Sequence, residues 1–251
     1  LDNGCYWGRC IYCNIKEAPA DLFRRRTHPG FEFEAIDHPG PKIVRLNTGS
    51  MTPRYIKEVL PGLPAGKDLE YRTFMRCSAA ENKALSQVVA RQDAALPALT
   101  LGIGVEFPSD RMLAWMDKGI TCDDILQTLE ICRDAGIRVN GNMILGWNNL
   151  IEEDVRDLGR FLANMPEGAM TSMQLRWLHA HPHTAIHDLY TGSPRFLGPF
   201  YLGFKVEISH EQQQLNQAAA EQIQAWAPKK GFRIEGLGNV VAQSGGGSHA
   251  A

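Results

Sequence analysis

Short apolar runs alternate along the chain with longer segments in which apolar residues recur every three or four positions. The short runs predict buried strands, and the longer segments predict amphipathic helices. The predicted strands cover residues 42–49, 69–76, 98–106, 137–146 and 170–180. The predicted helices begin near Pro53, Ala79, Asp110, Cys122 and Glu152. This repeated order of strand and helix is typical of a parallel sheet.

Two architectures share this order, the open doubly wound sheet and the barrel. The phosphate-binding signatures of the open sheet, GxGxxG and GxxxxGK[ST], follow none of the predicted strands. We therefore expect an α/β fold of the full or partial TIM-like barrel type. In either architecture the functional residues lie at the carboxyl ends of the strands.

The expected organisation is a core barrel over residues 1–195, followed by an extension over 196–243 that packs on or near it. The last segment, 244–251, reads SGGGSHAA and predicts a flexible tail. Only a few residues precede the first cysteine, whereas a functional loop of a barrel follows a strand. We expect that first strand to precede Leu1.

Composition, net charge and cysteine spacing limit the classes of protein to which this chain can belong. Hydrophobic residues make up 44% of the 251 positions and charged residues 22%, as in ordinary globular proteins. A net charge of −2 gives no electrostatic footprint for nucleic acid, and no apolar run approaches the roughly 20 residues that span a bilayer. Three cysteines are scattered singly rather than spaced as a disulfide scaffold, so we expect a reducing, cytoplasmic setting.

The other three cysteines, Cys5, Cys10 and Cys13, lie within nine positions in NGCYWGRCIYCN. A structural zinc site takes four ligands, and His28 or His38 is available as the fourth. A cubane iron–sulfur cluster also takes four ligands, so three thiolates leave one iron open to an external ligand. A closed electron-transfer cluster that recruits a distant cysteine is the alternative.

The segment GCYWGRCIYC resembles the cluster-binding motif of the radical SAM superfamily. The usual spacing there is CxxxCxxC, whereas this chain has CxxxxCxxC, with one more residue between Cys5 and Cys10. The flanking residues are similar to those of cobalamin-associated members. The resemblance implies the partial (β/α)6 form of the TIM-like barrel. It implies a [4Fe–4S] cluster on Cys5, Cys10 and Cys13, with S-adenosylmethionine on the fourth iron. It also implies reductive cleavage of that cofactor to a 5′-deoxyadenosyl radical, which abstracts hydrogen from a substrate.

Three further segments extend the resemblance. LNTGS falls where the family has a Gly-Gly-Glu stretch, which implies cofactor contacts; they would come from Asn47, Thr48, Gly49 and Ser50. GIGVEFPSDRMLAWMDKGIT is similar to the family pattern GVES…L…M-KG-T and places Glu106 near the ribose or amino group of the cofactor. NMILGWNNLIEED resembles DIIVGFPGETEED of methylthiotransferase-like members, which implies that Gly146 lines the adenine.

Four other side chains are candidate cofactor contacts. Tyr12 matches the aromatic residue that precedes the last cysteine, near the adenine in the family, or it is a plain hydrophobic contact. Asn140 and Asn142 alternate on one strand and so face one side, toward a cofactor or toward hydrogen bonds inside the barrel. Arg176 lies near the end of its strand and pairs either with the cofactor carboxylate or with a neighbouring helix.

The functional hypothesis is a radical SAM enzyme acting on a small-molecule or peptide substrate, with an electron donor such as ferredoxin or flavodoxin. A cobalamin-dependent methyltransferase is favoured, with cobalamin bound by a domain that precedes Leu1. One alternative is a methylthiotransferase-like enzyme, although the second cysteine triad and RNA-binding domain of that group do not occur here. The other is a non-catalytic module that binds zinc or an iron–sulfur cluster. The histidines of HAHPHTAIH predict a polar loop or a second metal site.

Overall fold

The computed structural model describes residues 5–15, 40–46, 49–91, 96–197 and 200–236. The strands in these ranges are β1 (Lys42–Arg45), β2 (Leu69–Met75), β3 (Ala98–Glu106), β4 (Arg138–Leu145), β5 (Ser172–Trp177), β6 (His179–Ala180), β7 (Gly192–Leu197), β8 (Phe200–Val206) and β9 (Arg233–Glu235). The α-helices are α1 (Pro53–Glu58), α2 (Ala79–Val89), α3 (Asp110–Trp115), α4 (Cys122–Asp134), α5 (Glu152–Asn164), α6 (Ala185–Leu189) and α7 (His210–Lys230).

Six strands form one sheet in the order β1-β2-β3-β4-β5-β9, and every neighbouring pair is parallel. The prediction of an α/β fold with a parallel sheet is therefore confirmed. The order does not reverse along the sheet. Because crossovers between parallel strands are right-handed, an order without reversal places the crossover helices on a single face.

The two faces of this sheet differ in character because successive side chains of a strand point to opposite sides. Tyr71, Leu101 and Met143 represent the face that is wholly buried with the apolar core. Residues of the opposite register, such as Thr100 and Asn142, line a cavity of about 630 Å³. The sheet thus presents an apolar side to its core and a polar side to a cavity.

Local sequence signals set the ends of several helices. Ser78 and Glu81 form a capping box at the start of α2, and Thr121 and Asp124 do the same for α4. Gly231 ends α7 in the left-handed conformation, with φ of +75°, which glycine adopts without steric cost. Among the described residues, no helix combines the length and the apolar character needed to cross a membrane.

The segment after residue 195 contributes to two parts of the fold. Strand β9 pairs in parallel with β5 and supplies the sixth strand of the main sheet, while α7 packs on α5. Strands β6, β8 and β7 form a separate antiparallel sheet immediately after the carboxyl end of β5. The expected boundary between core and extension stays a prediction, but the parallel sheet draws on both sides of it.

Helix α7 is tied to the turn that follows β4 by one buried amide. The Asn216 side chain accepts a hydrogen bond from the Gly146 amide at 2.7 Å and donates to the Trp147 carbonyl at 2.9 Å. It also donates to the Gln212 carbonyl within the helix at 2.7 Å. Asn216 is 1% exposed, so water does not replace these partners.

Replacing Asn216 with alanine should lower the free energy of unfolding by about 3 kcal/mol, because it leaves a buried amide and a buried carbonyl without partners. Urea denaturation of Asn216→Ala against the parent protein measures the loss. The matched control is Gln217→Ala on the exposed side of the same helix, which should change stability little. Equal losses in the two variants would contradict this account.

Candidate functional site

The cysteine loop, residues 5–15, lies against the turn that follows α3. The Ile11 amide donates to the Met116 carbonyl at 3.1 Å, and the Ile11 carbonyl accepts from the Ile186 amide at the start of α6 at 3.2 Å. The Trp7 indole donates to the Asp117 carbonyl at 2.7 Å. We call residues 116–119 the anchor turn, since the carbonyls of Met116 and Asp117 accept these hydrogen bonds from the cysteine loop.

Most of the four residues between Cys5 and Cys10, one more than in the usual motif, attach the cysteine loop to other parts of the protein. The Tyr6 hydroxyl donates to the Glu81 carboxylate, and the Arg9 guanidinium pairs with the Asp117 carboxylate at 3.0 Å. Gly8 turns the chain with φ of +59°. Three of the four intervening side chains therefore bind the rest of the protein, and the fourth position is a glycine turn.

Gly119, the last residue of the anchor turn, is required by both conformation and space. Its φ is +63°, and a Cβ atom there would lie 2.2 Å from the Trp7 ring. Any larger residue would push the indole out of its place against the turn. Gly119 thus both ends the α3 segment and packs directly against the Trp7 ring of the cysteine loop.

A buried ion pair lies beneath the loop. The Lys118 ammonium is 2.8 Å from the Glu106 carboxylate and 3.3 Å from the Tyr12 hydroxyl, and Lys118 and Glu106 are each 8% exposed. Burial alone would lower the pKa of Lys118, but the Glu106 carboxylate raises it above its ordinary value. Burial, and then the Glu106 charge, raise the pKa of Tyr12 well above its usual range. Lysine is therefore charged and tyrosine neutral at physiological pH.

The three loop thiols are free cysteines, and each is partly buried. Burial raises the pKa of the Cys10 thiol against the opposing charge of Lys118, and burial also raises the pKa of the Cys13 thiol. Across the described ranges, no group of three or more His, Cys, Asp or Glu side chains is arranged as a metal site. The loop carries the donor set, but its thiols are not gathered around a common point.

Aromatic rings connect the loop to the turn after β4. Tyr12 meets Trp147 edge to face with ring centroids 6.1 Å apart, and Trp147 meets Trp115 in the same way at 5.7 Å. Trp147 is fully buried. Such edge-to-face pairs stabilise aromatic clusters beyond their buried area. Tyr12 therefore lies beside the GWNN turn, and the structure gives it a packing role.

Several predicted contact residues do converge on the cavity. Its lining includes Gly49, Asn140, Asn142 and Arg176, together with Ile15 at the end of the cysteine loop. Asn47 and Thr48 lie outside the described residues. The cavity therefore joins the polar face of the sheet to the segment that carries the cysteines.

Three polar side chains of the cavity, those of Asn140, Asn142 and Arg176, form few hydrogen bonds with the protein. Asn142 donates to the Ile103 carbonyl at 3.3 Å, and Asn140 accepts from the Ser172 hydroxyl at 3.1 Å. The exposed Arg176 bonds the Gln174 amide oxygen at 2.8 and 3.1 Å, and within the described residues it forms no ion pair. These groups retain donors for a ligand.

Three other predicted contact residues take structural partners. Glu106 is paired with Lys118, and its φ of +59° is unusual for a residue with a side chain. The Ser50 hydroxyl is buried and accepts from the Arg76 amide at 2.9 Å. Gly146 has φ of +88°, and a Cβ atom there would strike the Trp177 ring. A role for these three toward a cofactor stays a prediction.

The histidine-rich segment forms no metal group within the described ranges. Thr184 is the N-cap residue of α6. The rings of His179 and His181 lie 4.7 Å apart, and burial lowers the pKa of His179 to about 4. Near neutral pH His179 is therefore an uncharged imidazole.

Comparisons with known proteins agree with the architecture alone. No family model matches the chain, and no curated protein matches its sequence. Among solved structures, the chain is similar to the radical S-adenosylmethionine methyltransferase TsrM from Kitasatospora setae, determined with its tryptophan substrate and the SAM analogue aza-SAM bound. The TM-score is 0.54 at 13% identity, over 90% of this chain and 51% of that one. The chain thus spans about half the length of this neighbour, and the likeness is one of fold.

Sequence reasoning missed three residues that organise the site, namely Arg76, Lys118 and Trp147. Lys118 lies inside the quoted M-KG-T pattern, and Trp147 inside GWNN, so both were visible as parts of motifs. Arg76 follows β2 directly, and its place at a strand end was the available signal. Lys118 pairs with Glu106, 12 positions away, and Arg76 bonds the Lys118 carbonyl, 42 positions away. Trp147 packs on Tyr12, 135 positions away. A sequence pattern does not display such pairings.

Replacing Lys118 with methionine should destabilise the protein by about 3 to 5 kcal/mol, because the Glu106 carboxylate would stay buried without its partner. The double variant Glu106→Gln/Lys118→Met should recover most of this loss, since no charge is then left unpaired. Chemical denaturation of the two variants and the parent gives the coupling. Lys67→Met, at an exposed lysine, is the control. A double variant no more stable than Lys118→Met would refute the pairing as the cause.

Proposed function

We propose that this chain is the catalytic core of a radical SAM enzyme. The observation that carries the proposal is the position of the three-cysteine loop. It is tied to the anchor turn after α3 and to the start of α6, and its end lines the polar cavity on one face of the sheet. The fold likeness to a radical S-adenosylmethionine methyltransferase supports the same class. We infer further that the sequential sheet is the partial (β/α)6 barrel expected from the sequence.

The loop suits a [4Fe–4S] cluster in its chemistry. Cys5, Cys10 and Cys13 are free thiols on one short segment, and electrostatic interactions couple Cys13 to both others. Beside them lies a buried guanidinium nitrogen of Arg76 that has no hydrogen-bond partner, which suits an anionic group at this place. We propose that the three thiolates hold three irons and that assembly of the cluster draws them together.

The cavity suits S-adenosylmethionine, whose open-iron chelation would place it between the loop and the sheet. We assign its carboxylate to Arg176, because a guanidinium forms paired hydrogen bonds with a carboxylate. Asn140 and Asn142 offer amide groups to the sugar or amino group, and Gly49 allows close backbone approach. When bound, the cluster and S-adenosylmethionine supply a 5′-deoxyadenosyl radical, while the chain binds, orients and shields the reactants.

The reaction we favour is methyl transfer to a small-molecule or peptide substrate in the cytoplasm, with electrons from ferredoxin or flavodoxin. Cobalamin would be bound by a domain outside these residues. The neighbour TsrM is itself a methyltransferase and about twice as long as this chain, which supports this subclass over a methylthiotransferase.

The anaerobically reconstituted protein should bind close to four irons and, after reduction with dithionite, give an electron paramagnetic resonance spectrum that changes when S-adenosylmethionine is added. Accumulation of 5′-deoxyadenosine would show reductive cleavage. Alanine at Cys5, Cys10 or Cys13 should abolish iron binding, because each removes one of only three ligands. A spectrum that is indifferent to S-adenosylmethionine would overturn the proposal in favour of a non-catalytic cluster module.

Two other cysteines are matched controls. Cys77→Ala and Cys122→Ser should retain the full iron content, because neither thiol belongs to the loop. Burial raises the pKa of Cys77 to about 11, which keeps this thiol protonated. Loss of the cluster from Cys77→Ala would instead identify a closed, four-cysteine site. Zinc in place of iron in protein purified without reconstitution would point to the structural-metal alternative.

Replacing Arg176 with glutamine should weaken binding of S-adenosylmethionine by about tenfold, the order expected when one charge-assisted hydrogen bond is removed. Isothermal titration of the reconstituted protein measures the affinity. Arg156→Gln, on the exposed surface of α5, is the control and should bind as the parent does. If the two variants have equal affinities, Arg176 does not hold the carboxylate.

A further inference from the structure

Arg76 is a buried cation at the carboxyl end of β2. It is 9% exposed, and its Nη2 atom donates to the Lys118 carbonyl at 2.6 Å and to the Gly119 carbonyl at 3.2 Å. Its backbone amide donates to the Ser50 hydroxyl at 2.9 Å. The anchor turn and the strand end thus fix the guanidinium in both position and orientation.

The cysteine loop covers this guanidinium with two aromatic rings. The Arg76 guanidinium carbon lies 4.0 Å from the centroid of Trp7 and 5.7 Å from that of Tyr6. These are the two residues that follow Cys5, so the loop itself closes the environment of the cation. Cation–π contacts are stronger when solvent is excluded, and the Arg76 side of these contacts is buried.

These contacts leave part of the hydrogen-bonding capacity of the Arg76 guanidinium unused. Its Nη1 atom is buried and has no hydrogen-bond partner, and no carboxylate of the described residues forms an ion pair with Arg76. Leaving a charged donor buried and unpaired costs more than leaving a neutral one, so native structures seldom contain such a group without a reason.

The groups that interact electrostatically with Arg76 include three members of the cysteine loop, Cys10, Cys5 and Tyr12, together with Cys77. Burial lowers the pKa of Arg76, and Cys10 and Cys5 are the first groups that oppose this effect. The other buried cation of the site, Lys118, already has Glu106 at 2.8 Å as its counter-ion. Within the part of the chain that the structure describes, Arg76 is therefore the buried positive charge beside the thiols that has no carboxylate partner.

We propose that Arg76 is the counter-ion of the cluster, donating a hydrogen bond from Nη1 to one of its sulfur atoms. This inference rests on the proposed function, since it requires a cluster on the loop. Each electron added makes a cluster more negative, so a fixed cation with a hydrogen bond to sulfur stabilises the reduced form and raises the reduction potential. The same contact slows the loss of iron, because groups around the ligands stabilise a metal centre.

The test compares Arg76→Gln and Arg76→Lys with the parent after identical reconstitution. Arg76→Gln should have a more negative midpoint potential by redox titration, and a chelator should remove its iron about tenfold faster. Arg76→Lys keeps the charge but not the planar fork, so its potential should stay closer to that of the parent while iron loss is still accelerated. Arg54→Gln, at an exposed arginine of α1, should match the parent in both measurements.

Near-ultraviolet circular dichroism before reconstitution reports whether each variant keeps the aromatic packing of the parent, of which the Trp7 contact is one part. If Arg76→Gln does not fold, the lysine variant carries the test, because it alone should separate the two readouts. A parent protein that binds a cluster, with unchanged potential and iron retention in both variants, would overturn the role of Arg76 and leave the proposed function intact. A parent protein that binds no cluster would overturn both.

Discussion

The rest of the site depends on the hydrogen bonds that the carbonyl groups of the anchor turn accept. The turn accepts them from the loop backbone, from the Trp7 indole and from the Arg76 guanidinium. Two of its four residues have positive φ, including Asp117 at +49°, so the chain folds sharply enough to aim successive carbonyls in different directions. A segment of eleven described residues without a strand or α-helix is held in this way at one place on a rigid sheet.

The buried charges of the site follow from the same geometry. The Lys118 side chain leaves the anchor turn toward Glu106, while its carbonyl faces Arg76. Lys118 and Arg76 are therefore two buried cations that interact electrostatically with the Cys10 thiol, although burial of charge is unfavourable. One is neutralised by a carboxylate that the strained end of β3 presents. Among the described residues, the other cation contacts aromatic rings and neutral carbonyls, and one of its guanidinium nitrogens has no hydrogen-bond partner.

The two faces of the parallel sheet differ, since one packs in the apolar core and the other lines the polar cavity. One register of each strand enters the apolar core, and the other lines the cavity with amides and guanidinium groups such as those of Asn142 and Arg176. Period-two alternation in the sequence predicted this division for β4, where Asn140 and Asn142 share a face. It did not predict that β9, far along the chain, would complete the sheet next to β5, because three residues carry too weak a pattern to identify a strand's neighbours.

The sequence by itself determined the order of the first five strands and of the helices between them, the parallel sheet and the clustering of three thiols on one loop. These features are local, since they depend on residue types at short spacings and on the limited connections that parallel strands allow. Only the tertiary structure decided that Glu106 pairs with Lys118, that Tyr12 packs on Trp147, and that Arg76 lies under the loop. Those contacts join residues from 12 to 135 positions apart. They arise when burial forces each polar group to find a partner in space, and sequence spacing does not encode that choice.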